Sequence, residues 1–189
     1  MKKLILMLCV ILALGCTAAF AEEISGKVTL LQTTAIDLDE AGNEVERPVK
    51  VTLEVAEPVK LTVAFFDKDE GYVGMVSRNN LAAAVSVRPA NRGPHHNLNE
   101  YTDEMLKAYV DEVAKNNFEP GYTYEVAKSE GGNTYVAITD GTTRSISTIY
   151  DDFFMEIYQL HADENGVISG LTEEDNAFAL EIFQGIWTE

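Results

Sequence analysis

Residues 134–162 read TYVAITDGTTRSISTIYDDFFMEIYQLHA. Thr134–Thr139, Arg144–Tyr150 and Phe153–Leu160 are rich in β-branched and aromatic side chains, and Asp140-Gly141 and Asp151-Asp152 divide them. Asp-Gly between such runs signals a hairpin, because glycine accepts the positive φ that a tight turn needs. The stretch predicts an antiparallel meander. Tyr122–Lys128 extends it upstream across a Gly-Gly-Asn turn, and Lys27–Ile36, Tyr72–Ser77 and Ala82–Arg88 are further strand candidates. Val49–Val55 and Val59–Phe66 alternate apolar and polar residues with the period of a half-wet sheet. Ala56-Glu57-Pro58 between them reads as the connection of a hairpin. Asp37–Pro48 and Pro89–Asn99 read as polar loops.

Two segments change to helical period. Thr102–Asn116 opens with a Thr cap followed by Asp103 and Glu104, which suit the positive end of the helix dipole. Met105, Leu106, Tyr109, Val110 and Val113 then form one apolar stripe. Thr172-Glu173-Glu174-Asp175 resembles a capping box and opens a last helix whose Phe178, Ile182 and Ile186 share a face. Both stripes read as core surfaces laid on a sheet. The expected fold class is α+β, an antiparallel β-sheet packed against two main helices.

In LAAAVSVRPAN (Leu81–Asn91), TDEMLKAYVDEVAK, the meander quoted above and the terminal ALEIFQGIW, this order resembles the Mog1/PsbP-like group. The resemblance covers residues 49–187 and implies an α/β/α sandwich. It also implies a non-enzymatic accessory or binding role, with export in bacterial members. It carries over no functional residue.

The N-terminus predicts export. Lys2 and Lys3 precede an apolar run, Leu4–Leu14, that is too short to span a bilayer, and Ala19-Phe20-Ala21 offers small residues to a signal peptidase. Residues 1–21 therefore read as a signal peptide, with 22–189 as a single α+β domain and 22–48 as an N-terminal extension of it. The alternative is a lipoprotein signal over 1–15, with a lipid on Cys16 after Gly15. Both cysteines, Cys9 and Cys16, lie in this leader, so cleavage after Ala21 leaves no disulfide, thiolate metal site or cysteine nucleophile. The formal charge is −17, from 14 Lys and Arg against 31 Asp and Glu. Nucleic acid and anionic lipid are poor partners for that balance, because affinity for phosphates rests on Lys and Arg displacing counterions. A membrane enters only through the N-terminal lipid.

The best local candidate for a metal is His161–Glu174, HADENGVISGLTEE. On a calcium-loop template, Asp163 takes position 3, Asn165 position 5 and Gly166 position 6, which makes Asp163 and Asn165 the calcium candidates. Position 1 is His161 instead of a carboxylate, and position 12 is Thr172, with Glu173 one residue late. His95-His96 sits in a loop, and adjacent side chains diverge too far to share a metal alone. The chain carries no H-E-x-x-H, P-loop, dinucleotide glycine pattern or nucleophile elbow. The leading expectation is an exported, non-enzymatic binding or accessory protein of the bacterial cell envelope or extracellular space, needing no cofactor. Its partner would be a protein or small-molecule ligand. The alternatives are a secreted hydrolase that assembles carboxylates with His161 or His95-His96, and a weak calcium-binding module.

Overall fold

The computed structural model describes residues 21–39, 41–90, 95–118, 120–162 and 167–189. The described residues begin with two very long strands, β1 (Ala21–Leu38, 18 residues) and β2 (Glu44–Asp67, 24 residues). They pair antiparallel from Leu38↔Glu44 to Ala21↔Thr62. Strands β3 (Gly71–Arg78) and β4 (Leu81–Pro89) follow as hairpins, and helix α1 (Asp103–Asn117) crosses over to β5 (Thr123–Lys128). The meander then supplies β6 (Thr134–Thr139), β7 (Thr143–Tyr150) and β8 (Phe153–Ala162). Short β9 (Ile168–Ser169), helix α2 (Glu173–Gln184) and β10 (Ile186–Thr188) complete the chain. The sheet has ten strands, with order β1-β2-β3-β4-β8-β7-β6-β5, while β9 pairs with β8 and β10 with β2.

This corrects the expected two-helix α/β/α sandwich of the Mog1/PsbP-like kind. The architecture is a β-rich antiparallel sheet to which the helices are additions. The main physical reason lies at Ala56-Glu57-Pro58, which is not a hairpin connection but a bulge within β2. Gly26 faces Val55 and Ile24 faces Val59, so these residues stand opposite Ser25 alone. A bulge tolerates a proline that cannot donate to the ladder, and it bends the strand. On the side away from β1, β2 pairs with β10 before this corner (Val51–Leu53) and with β3 after it (Lys60–Asp67). Residues 22–48 form β1 and the start of β2 within the sheet.

The bend brings the β1–β2 hairpin to the far end of the meander, where the Arg47 guanidinium reaches Asp151 in the β7–β8 turn at 2.6 Å. One sheet face is thus covered jointly by the sheet's own first strands and by α2. Leu31, Val49, Val51 and Leu53 share a buried cluster with Val85, Ile146, Ile157, Phe178 and Ile182. The opposite face carries α1. Tyr109, Val110, Val113 and Ala114 pack there with Val136, Ile138 and Phe154.

Both helix starts follow local rules. The Thr102 hydroxyl accepts from the Met105 amide. Thr172 and Asp175 complete a reciprocal capping box. The second apolar stripe ends sooner than the sequence suggests, because Gly185 leaves the helix and Ile186 enters β10. Its Cβ position would lie 2.2 Å from the Glu54 carbonyl oxygen, so only glycine lets the chain turn that close to β2.

Candidate functional site

Among the described residues each histidine faces a carboxylate, and two of these pairs are close. His161, on β8, sets Nδ1 3.0 Å from Asp175 Oδ2, and the Asp175 side chain is 3% exposed. The Thr172 amide and hydroxyl also donate to Asp175, at 2.8 and 2.7 Å. Burial pushes this carboxyl up, but Thr172 and His161 outweigh it, so it titrates below the ordinary aspartate range. Ser169 lies directly opposite His161 in the β8–β9 pair. The arrangement ties the start of α2 to the end of β8 and fixes one ring nitrogen of His161.

The second pair closes the β7–β8 turn. Asp151 and Asp152 both adopt positive φ, 52° and 67°, the conformation of a two-residue hairpin turn that favours Asn-Gly. The loop at 95–101 braces them: the Asp151 amide donates to Asn97 Oδ1, and the Asp152 amide to the His96 carbonyl. His96 Nδ1 lies 2.6 Å from Asp152 Oδ1, and that hydrogen bond raises the histidine's pKa. His95 faces Glu100 at 3.7 Å instead, so the adjacent histidines serve different carboxylates. Beside them is a cavity of about 50 Å³ lined by Thr33, Ala35, Pro89, Ala90, Asp152 and Phe153. It has room for little more than a water molecule.

A third polar group lies on the α1 face. Glu156 stands between Ser86 on β4 and Ser147 on β7. Its Oε1 accepts from the Ser145 hydroxyl at 2.6 Å and from Asn117 of α1 at 3.4 Å. The Tyr109 hydroxyl donates to Ser147 at 2.9 Å. Burial lifts the Glu156 carboxyl above the ordinary glutamate range, against the opposing pull of Ser145 and Arg88. Glu156 marks the border of α1's cover. Beyond it Val73, Met75, Ser77, Ala82, Ala84 and Ser86 alternate with buried neighbours along β3 and β4, yet are themselves only half-buried. None of them belongs to either buried cluster. Among the described residues no helix packs over this half of the sheet face, which is made mostly of small side chains.

The calcium candidates Asp163 and Asn165, and the lipidation candidate Cys16, lie outside the described residues. Strand β8, not a helix, leads into the calcium-like loop, and Asp175 engages both His161 and Thr172, its first and twelfth positions. Among the described residues no group of three or more His, Cys, Asp or Glu is placed to hold a metal ion. No helix among them is long and apolar enough to cross a membrane. Phe153 and Phe154 are core side chains, at 2% and 7% exposure. Glu156 was missed in the sequence reading, although a signal existed: a two-residue turn at Asp151-Asp152 sets Glu156 opposite Ser147. Comparison with family models, with curated proteins and with solved structures finds no match to this chain.

Proposed function

We propose that the chain is exported and works as a non-enzymatic binding or accessory protein of the bacterial cell envelope or extracellular space, using the bare half of its sheet. The leader, Lys2 and Lys3 before the apolar run Leu4–Leu14 and Ala19-Phe20-Ala21, supports the address. The observation that carries the binding role is the row Val73, Met75, Ala82, Ala84 and Ser86, half-exposed beside a face that α1 covers. A face of mostly small side chains suits a partner that brings its own bulk. Two measurements test this. Mass spectrometry of the processed chain should find Glu22 first, or a lipidated Cys16. A photo-crosslinker at Met75 should capture an envelope component that one at Lys107, on the exposed side of α1, does not. Equal capture at both positions discards the face.

A second reading, a secreted hydrolase, draws on the buried Asp175 that orients His161 and on Ser169 opposite that ring. In it His161 would be the general base and Ser169 the nucleophile. A fluorophosphonate should then label the protein but not its Ser169→Ala variant. Absence of labelling removes this reading.

A further inference from the structure

We propose that the outer edge of β2 over Val63–Asp67 is a strand-addition site for an extended, basic segment of a partner protein. This deepens the binding-module reading and rests on it, but it places the partner's main chain on an edge instead of on the bare face.

Cleavage after Ala21, as proposed above, leaves this edge open. Among the described residues the β1–β2 ladder runs to Ala21↔Thr62, while β2 runs on to Asp67, and β3 pairs with it on the other side. Among the described residues no hydrogen bond joins the amides and carbonyls on the β1 side of this stretch to another segment. Such edges are normally blunted by charge, proline or a covering element. Here Val63, Ala64, Phe65 and Phe66 are uncharged, and the large ones are open to solvent: Val63 is 48% exposed, Phe65 42% and Phe66 57%. A shift in register at Ala64 distributes them over both faces. Val63 and Phe66 stand opposite Gly74 and Tyr72, and Phe65 opposite Val73. An added strand thus meets an apolar side chain whichever way its own alternate.

The surrounding charge selects the occupant. Glu22 and Glu23 begin β1 beside Leu61 and Lys60, and Asp67, Asp69 and Glu70 cap the β2–β3 turn, against Lys60 and Lys68. The whole chain carries −17. That field repels a second copy and anionic lipid, and it favours a segment alternating apolar residues with Lys or Arg.

A fluorescent eight-residue peptide alternating Lys with Val, titrated against the processed chain, tests the site by anisotropy. Binding should weaken at least tenfold with Phe65→Asp or Phe66→Asp, both exposed positions that leave the core untouched. It should vanish for a peptide with Glu in place of Lys, and for one with a central Pro that cannot complete the ladder. No binding to the processed chain, or equal binding of the Pro peptide, overturns the proposal. If either occurs while Met75 still captures a partner, the edge is discarded and the binding-module reading stands; loss of both discards both.

Discussion

Replacing Asp175 with Asn should cost about 2–3 kcal/mol. The carboxylate is almost fully enclosed and receives the Thr172 amide, the Thr172 hydroxyl and the His161 ring. A hydrogen bond to a charged acceptor contributes about 1.5–3 kcal/mol net, and an N-terminal cap about 1 kcal/mol. These overlap here, because Asp175 is one half of the capping box, so they do not simply add. Asparagine keeps one acceptor but turns an amide donor toward groups that already donate. For a domain of this size the loss corresponds to a fall of about 4–12 °C in melting temperature. Thr172→Ala removes the hydroxyl that both caps α2 and donates to Asp175, but leaves the Thr172 amide and His161 on the carboxylate, and should cost about 1 kcal/mol. The effect also has a defined pH dependence. The folded-state pKa of Asp175 is depressed, so its contribution is complete above the ordinary aspartate range and is lost as pH falls through the folded value. Urea titrations of wild type and Asp175→Asn at pH 7 and at about pH 2.5 should therefore show a gap that narrows in acid. A gap below about 0.5 kcal/mol at pH 7, or one as wide in acid as at neutrality, would refute the assignment of Asp175 as an ionised, buried tie between β8 and α2.

Glu156→Gln should act in the opposite sense. The glutamate's folded pKa is raised, so wild type loses stability as pH climbs from the ordinary glutamate range through that value, by about 1.4 kcal/mol per pH unit of displacement. The Gln variant's advantage in thermal melts should be absent near pH 4 and present at pH 8; equal melting at both would show that ionised Glu156 carries no burden. Gly185→Ala forces a methyl group against the Glu54 carbonyl and should cost about 1–3 kcal/mol by pushing β10 off β2. The accompanying change in fluorescence of Trp187, which Lys27 overlies at 4.7 Å, provides a local readout. Arg47→Ala breaks the contacts with Asp37 and Asp151, but these are partly solvated, so the loss should stay within about 1 kcal/mol and shrink in high salt. A larger, salt-independent loss would mean that the hairpin tip is held more firmly than its exposure implies.

Most strand and turn positions were legible because their causes are local, although Asp37–Pro48, which reads as a polar loop, is strand up to Leu38 and again from Glu44. Gly141 takes φ of 89° in the Asp140-Gly141 turn, and Thr172 caps α2 as its spacing with Asp175 suggests. Ala56-Glu57-Pro58 shows where local reading stops. Proline beside two polar or small residues has the composition of a turn, and only the partners on either side make it a bulge in one continuous strand. Since that strand's first half covers a sheet face with help from α2, misreading three residues turned one bent β-layer into a sandwich between helices.

Coverage of the other face follows from how much area each strand offers. Under α1 lie Val136, Ile138 and Phe154, large side chains whose burial yields about 1.5–3 kcal/mol each. Along β4 the corresponding positions are Ala82, Ala84 and Ser86. A methyl group offers about 0.8 kcal/mol, and a serine hydroxyl adds desolvation cost. The helix therefore settles over β6 to β8, and Glu156 stands where the large side chains give way to small ones. For the binding role proposed above, the same inequality has a consequence: little apolar area waits on this half, so the proposed partner would supply the bulky side chains itself. In the proposed strand addition, Phe65 and Phe66, exposed near the end of β2, would invert that division of labour, with this chain supplying the aromatic area and the partner the backbone and the positive charge.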